Sequence, residues 1–156
     1  CTAENDERIG FIVPQSDVRV IDNWDVIGLR GTGYSPDDFD WGRDKGWTVV
    51  QAEDCWYKSL APLMAEVRDR IGDAPVYLSF DIDSLDPAFA PGTGTVEPGG
   101  LSTWQALEIV RGCAGLNLVG GDLVEVSPPY DPSGNTALIG ANLLYEMLCV
   151  LPGAAG

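Results

Sequence analysis

The 156-residue sequence contains no histidine. On its own it cannot build a Ser-His-Asp triad, a three-histidine zinc site or a histidine general base. Basic residues are scarce: 9 Lys and Arg stand against 24 Asp and Glu, a formal net charge of −15. Such a chain repels a phosphate backbone, which argues against nucleic acid as a partner. Cysteine is sparse. Cys1, Cys55, Cys113 and Cys149 are far apart, so there is no CxxC zinc or redox motif. Cys113 and Cys149 fall in apolar helical patterns and are expected as buried free thiols. This usage is that of an intracellular protein rather than a secreted disulfide scaffold, so a cytoplasmic location is expected, with a mitochondrial one left open. No signal-peptide pattern is visible. The longest apolar run, 137–151, is interrupted by Asn142 and Glu146 and is too short to span a bilayer comfortably, so no membrane partner is expected. An initial Met is also missing. The polar opening Cys1-Thr2-Ala3-Glu4 lacks periodicity, as expected of a fragment or a processed form.

What is present suits one domain, or part of one. The chain is 45% hydrophobic, enough for a core, and its 19 Gly and 11 Pro imply many turns. Val26-Ile27-Gly28-Leu29 reads as a buried strand running into an Arg30-Gly31-Thr32-Gly33 loop. Ser35 and Pro36 read as a helix start. Residues 47–50 form a second strand pattern. Leu60, Leu63, Val67 and Ile71 recur at helical spacing, with Pro62 in the first turn and Gly72 as the stop. Val76-Tyr77-Leu78-Ser79-Phe80 has the near-continuous apolar character of a central parallel strand. Ser102-Thr103-Trp104-Gln105 matches a capping box, with Leu101 and Ala106 as its staple, and opens a helix ending at Gly112. Residues 116–126 form one long strand weakened at Gly120-Gly121, or two short ones. Residues 135–150 are helical and apolar on most sides, hence expected to be buried. The five Trp are expected in the core or at an interface. Strands alternating with helices predict an α/β fold with a parallel sheet.

In such folds ligands bind beyond the carboxyl ends of the strands. Asp81 and Asp83 stand at one such end. On an extended backbone both carboxylates face one side, where they repel unless a cation lies between them. A hard divalent metal is one occupant. The alternative is that Asp81 caps the following turn and Asp83 is solvated. Glu125, between Val124 and Val126, either holds a cationic group such as a guanidinium or forms an ion pair with Arg30 or Arg111. Residues 86–100, rich in Gly and Pro, form a long loop whose length points to a functional role.

Residues Ser79-Phe80-Asp81-Ile82-Asp83-Ser84-Leu85-Asp86-Pro87, followed by Ala90-Pro91-Gly92-Thr93-Gly94-Thr95, resemble the hallmark segment of the arginase/agmatinase (ureohydrolase) family. Residues 120–131 are similar to the family's second carboxyl-terminal motif, and 27–31 to the strand that precedes both. The resemblance covers residues 25 to 151, leaving 1–24 unassigned and 152–156 as a tail. Its details look more like the agmatinase or guanidinobutyrase branch than like true arginases. It implies part of a three-layer α/β/α sandwich with a mainly parallel sheet, and hydrolysis of a guanidino group to urea and an amine (putrescine, were agmatine the substrate). It implies two bridged Mn²⁺ ions that activate a water, with Asp81 and Asp83 as metal ligands and Glu125 as the guanidinium-binding residue. It also implies a trimeric or hexameric homo-oligomer. The family's Gly-Gly-Asp-His and Asp-x-His-x-Asp metal motifs are absent, as is a further proton-shuttling histidine, so no catalytic residue is assigned. Val96 stands where the family usually has Pro. The chain therefore reads as the carboxyl-terminal half of a ureohydrolase, inactive or very weakly active alone. Two alternatives are a non-catalytic oligomerisation partner and an amine-binding domain that uses Glu125 without metal.

Overall fold

The computed structural model describes residues 25–31 and 38–154. Among these, four strands and five α-helices follow in the order β1 (Asp25–Leu29), α1 (Asp38–Asp44), β2 (Thr48–Gln51), α2 (Ala52–Cys55), α3 (Ala61–Ile71), β3 (Pro75–Asp81), α4 (Thr103–Gly112), β4 (Asn117–Val124) and α5 (Asn135–Val150). The helix start expected at Ser35 and Pro36 lies outside the described residues. β1 pairs with β2 and β3 with β4, both in parallel. The α/β class with parallel pairing is as expected.

Local rules account for the boundaries. Pro62 falls in the first turn of α3, where its missing N–H has no partner to lose, and Gly72 closes the helix at φ 60°. Both bonds of the capping box form at Ser102 and Gln105. β4 is a single strand with a bulge. Val76 pairs with Leu118 but Tyr77 with Gly120, so Val119 is an extra residue and stands 62% exposed. A Cβ on Gly121 would lie 2.7 Å from the Leu78 carbonyl oxygen, so glycine is what lets β4 run this close to β3.

The core is one cluster. Leu78 and Phe80 of β3 and Leu118 of β4 join Met64 and Val67 of α3, Ile109 and Val110 of α4, and Leu143 and Met147 of α5. Each such side chain, fully buried, contributes roughly 1.5–3 kcal/mol. Alternation along β3 then turns Tyr77, Ser79 and Asp81 to the opposite face. α5 is less buried than its composition suggests. Thr136, Gly140, Leu143 and Met147 face inward, while Leu138, Leu144, Tyr145 and Leu148 are exposed. The same outer face carries Cys149, which is exposed, whereas Cys113 is buried as expected. Trp56 and Trp104 are also about half exposed rather than core residues. No helix among the described residues is long and apolar enough to cross a membrane.

Candidate metal and substrate site

β3 delivers Asp81 as its last residue, and the chain turns at once into a 3₁₀ turn, Ile82–Ser84. The extended arrangement expected for Asp81 and Asp83 is therefore replaced by a tight corner. The Asp81 carboxylate accepts the Asp83 main-chain N–H at 3.0 Å, and the Ser84 hydroxyl donates to the Asp81 carbonyl at 2.8 Å. Asp81 does cap the turn, but Asp83 is not solvated. The two residues are 2% and 7% exposed. Burial, reinforced by the Asp83 charge, pushes the Asp81 carboxyl up to about 8, and the Glu125 charge adds to the effect. Asp83 and Glu125 thus both act on Asp81 through space, although one comes from the turn after β3 and the other from the residue after β4.

Asp83 is held from two sides. Its carboxylate accepts the Thr95 hydroxyl, from the middle of the long loop. Its carbonyl accepts Arg30 Nη2 at 2.6 Å. Arg30 also reaches the carbonyls of Leu85 and Glu97.

Glu125 sits one residue past β4, not within it, and is exposed. Its φ is 67°, a left-handed conformation unusual for a side chain of this size. Neither partner expected for an internal ion pair takes that role. Arg111 pairs with Glu146 at 2.7 Å, and Arg30 is occupied by main-chain carbonyls. The carboxylate is left available at the strand end.

Several residues of this region escape sequence reasoning. Thr95 reads only as part of a turn-rich loop, and nothing in a loop's spacing marks which hydroxyl reaches a carboxylate. Asp122, which the sequence groups with Glu125 as an acidic cluster at a strand end, has an unforeseen role: it accepts Tyr77 Oη at 2.8 Å and Ser79 Oγ at 2.6 Å, a cross-strand tie one pleat before Asp81. Gly92 accepts the Ser127 N–H at 2.7 Å and donates to Thr136 Oγ1 at 2.8 Å, stitching the long loop to the segment after β4. Thr93 Oγ1 is buried without a hydrogen-bond partner beside that stitch.

Two buried carboxylates that form no ion pair among the described residues suit a hard divalent ion by charge and donor type. Their number is short of a complete set. Among the described residues no three His, Cys, Asp or Glu gather into a metal-binding group. The pair fits part of one ion's shell and does not by itself hold a two-metal cluster.

Comparison with known proteins gives a consistent picture. The model of the Arginase family matches residues 14–149. The guanidinobutyrase of Pseudomonas aeruginosa is 72% identical over 127 residues, which make up 81% of this chain and 40% of that protein. The mitochondrial agmatinase of Gallus gallus is 68% identical, over 81% of this chain and 37% of its own length. Among solved structures, proclavaminate amidino hydrolase from Streptomyces clavuligerus aligns with a TM-score of 0.74 at 41% identity, covering 80% of this chain and 42% of that one. The chain spans about two fifths of the length of the curated relatives it matches.

Proposed function

Because the chain belongs to the arginase family, we propose that it is the carboxyl-terminal half of a ureohydrolase. The whole protein would hydrolyse 4-guanidinobutyrate, agmatine or a related guanidino compound to urea and an amine. The observation that carries this reading is the buried Asp81–Asp83 pair, which forms no ion pair among the described residues and has the Glu125 charge acting on Asp81. Similarity to proteins named guanidinobutyrase and agmatinase supports the substrate class.

In this reading Asp81 and Asp83 hold Mn²⁺, and the remaining ligands come from polypeptide outside this chain. Bound there, Mn²⁺ supplies Lewis acidity that makes water nucleophilic at neutral pH. The chain's own residues do the rest. Thr95 fixes the Asp83 carboxylate. Glu125 would accept the planar guanidinium through paired hydrogen bonds and orient it toward Asp81 and Asp83. The net charge of −15 draws a cationic substrate toward the strand ends. A homotrimer or hexamer in the cytoplasm, or in a mitochondrion, completes the proposal.

One observation favours a second reading, a non-catalytic oligomerisation partner: the outer face of α5 exposes Leu138, Tyr145 and Leu148. Urea release from 4-guanidinobutyrate, agmatine and arginine with added Mn²⁺ separates the two. The ureohydrolase reading expects urea from the full-length protein and little or none from these 156 residues alone. A full-length protein that binds Mn²⁺ and releases no urea from any guanidino compound would leave the second reading standing.

A further inference from the structure

Arg30 lies among acidic side chains and spends its donors elsewhere. The charges of Asp81, Asp83, Asp86 and Glu97 all act on its half-buried guanidinium. Yet among the described residues it forms no ion pair. Its donors go to carbonyl oxygens instead: Nη2 to Asp83 at 2.6 Å, Leu85 at 3.2 Å and Glu97 at 2.7 Å, and Nε to Glu97 at 3.0 Å. A planar guanidinium with several donors in a fixed fork can serve three carbonyls at once, which an ammonium on a flexible stem does poorly.

Asp86 completes the device from the opposite polarity. Its carboxylate accepts the N–H groups of Ala88 at 2.9 Å, Gly99 at 2.7 Å and Gly100 at 3.2 Å. Its chain neighbour Leu85 forms a parallel bridge with Leu101. Both ends of the loop are thereby closed, one set of contacts through carbonyls and the other through N–H groups. The loop held in this way carries Thr95, whose hydroxyl binds the Asp83 carboxylate. Arg30 holds the same Asp83 by its carbonyl. A salt bridge from Arg30 to Asp83 would have taken up the carboxylate oxygens that a cation needs; the carbonyl contact fixes the residue and leaves those oxygens free of the guanidinium.

We propose that Arg30 is a positioning residue that locks Asp83 and the Thr95 loop into a cation-capturing arrangement through main-chain carbonyls, leaving the carboxylate oxygens free of an Arg30 ion pair. This rests on the reading of Asp81 and Asp83 as metal ligands. It makes a prediction of definite sign. Taking a positive charge away from a cation site should, by electrostatics alone, tighten cation binding. A positioning role demands the opposite.

The test is the Mn²⁺ dissociation constant of the full-length protein, measured by electron paramagnetic resonance of the free ion, for Arg30→Gln, Arg30→Lys and Asp83→Ala. Positioning expects Arg30→Gln to weaken Mn²⁺ binding about tenfold or more, as loss of supporting contacts to metal ligands does. Arg30→Lys, which keeps the charge, should weaken it too, with faster amide hydrogen exchange across residues 92–99. Binding that is unchanged or tighter in Arg30→Gln overturns the proposal. Should Arg30→Gln fail to fold, unchanged binding and unchanged exchange in Arg30→Lys overturn it equally. Loss of binding in Asp83→Ala but not in the Arg30 variants sinks the proposal alone. Retention in all three sinks the ligand reading, and the proposal with it.

Discussion

The Asp81 carboxylate accepts the main-chain N–H of Asp83 at 3.0 Å, so the first acidic residue of the pair builds the corner that brings the second beside it. Two carboxylates are thereby buried together, and the protonated form of Asp81 is favoured up to about 8 against an ordinary 3.8. A folded-state pKa above the unfolded one stabilises the fold fully below the unfolded value, and that contribution is lost as pH rises through the folded value. The metal-free protein should therefore lose stability between pH 4 and 8, by an amount on the order of a few kcal/mol. Denaturant midpoints across that range measure it. Asp81→Asn should flatten the slope, and Mn²⁺ at the alkaline end should restore the midpoint by binding the native state. A midpoint that rises with pH in the metal-free protein would contradict the raised pKa.

Glu125 combines a proposed substrate contact and a strained backbone in one residue. Its φ of 67° suits glycine, yet a carboxylate stands there. Strain of this kind persists where the side chain is needed. Glu125→Gly should stabilise the protein by roughly 0.5–1 kcal/mol in chemical denaturation while abolishing substrate affinity. Glu125→Gln keeps the strain and loses a charge-assisted bond, so KM for a guanidino substrate should rise roughly tenfold or more. A destabilised Glu125→Gly protein would mean that the conformation is not costly.

Much of this arrangement was legible in the sequence, and the gaps have physical causes. Helices α3, α4 and α5 fall where apolar spacing, Pro62, the Ser102 cap and Gly72 put them. The Asp81 strand end was readable as a candidate site because ligands of open α/β sheets bind beyond the carboxyl ends of strands. The corner between Asp81 and Asp83 was not, because residue spacing cannot distinguish an extended step from a 3₁₀ turn. The bulge at Val119 likewise depends on how closely two backbones approach. Arg30 and Asp86 act through loop backbone, and Thr95 reaches Asp83 from within that loop, which has no periodicity to read. The exposed side of α5 shows a further limit. Composition reports how apolar a helix is, while burial depends on what packs against it.

Gln105 carries more of the fold than its place on a helix suggests. It is 4% exposed, and its Nε2 donates to the carbonyls of Cys55 at 2.5 Å and Lys58 at 3.2 Å while its Oε1 accepts the Ser102 N–H at 3.0 Å. One amide therefore satisfies the cap of α4 and the chain leaving α2. Gln105→Leu preserves volume but strands those groups, and should cost roughly 2–3 kcal/mol. Urea unfolding should show a lower midpoint with an unchanged m-value. A loss under about 0.5 kcal/mol would show that water replaces these bonds freely.

Asp131 should show a pH response opposite to that of Asp81. Its carboxylate accepts the Ser133 hydroxyl, the Thr136 N–H at 2.7 Å, the Thr136 hydroxyl at 2.8 Å and the Ser133 N–H at 3.1 Å. These donors favour the ionised form, the Ser133 hydroxyl most, and hold the carboxyl down at about 2. A depressed folded-state pKa stabilises above the unfolded value, and the contribution disappears as pH falls through the folded one. Acid unfolding between pH 4 and 2 should therefore include a step that Asp131→Asn removes, along with a lower melting temperature at neutral pH. Thr136→Val probes the same network from its buried hydroxyl, which also accepts the Gly92 N–H at 2.8 Å. That substitution leaves both Asp131 and Gly92 short of a partner and should cost roughly 1–3 kcal/mol. Because Gly92 begins the segment that carries Thr95, Thr136→Val should also speed amide exchange in residues 92–96, which a cap confined to α5 would leave unchanged.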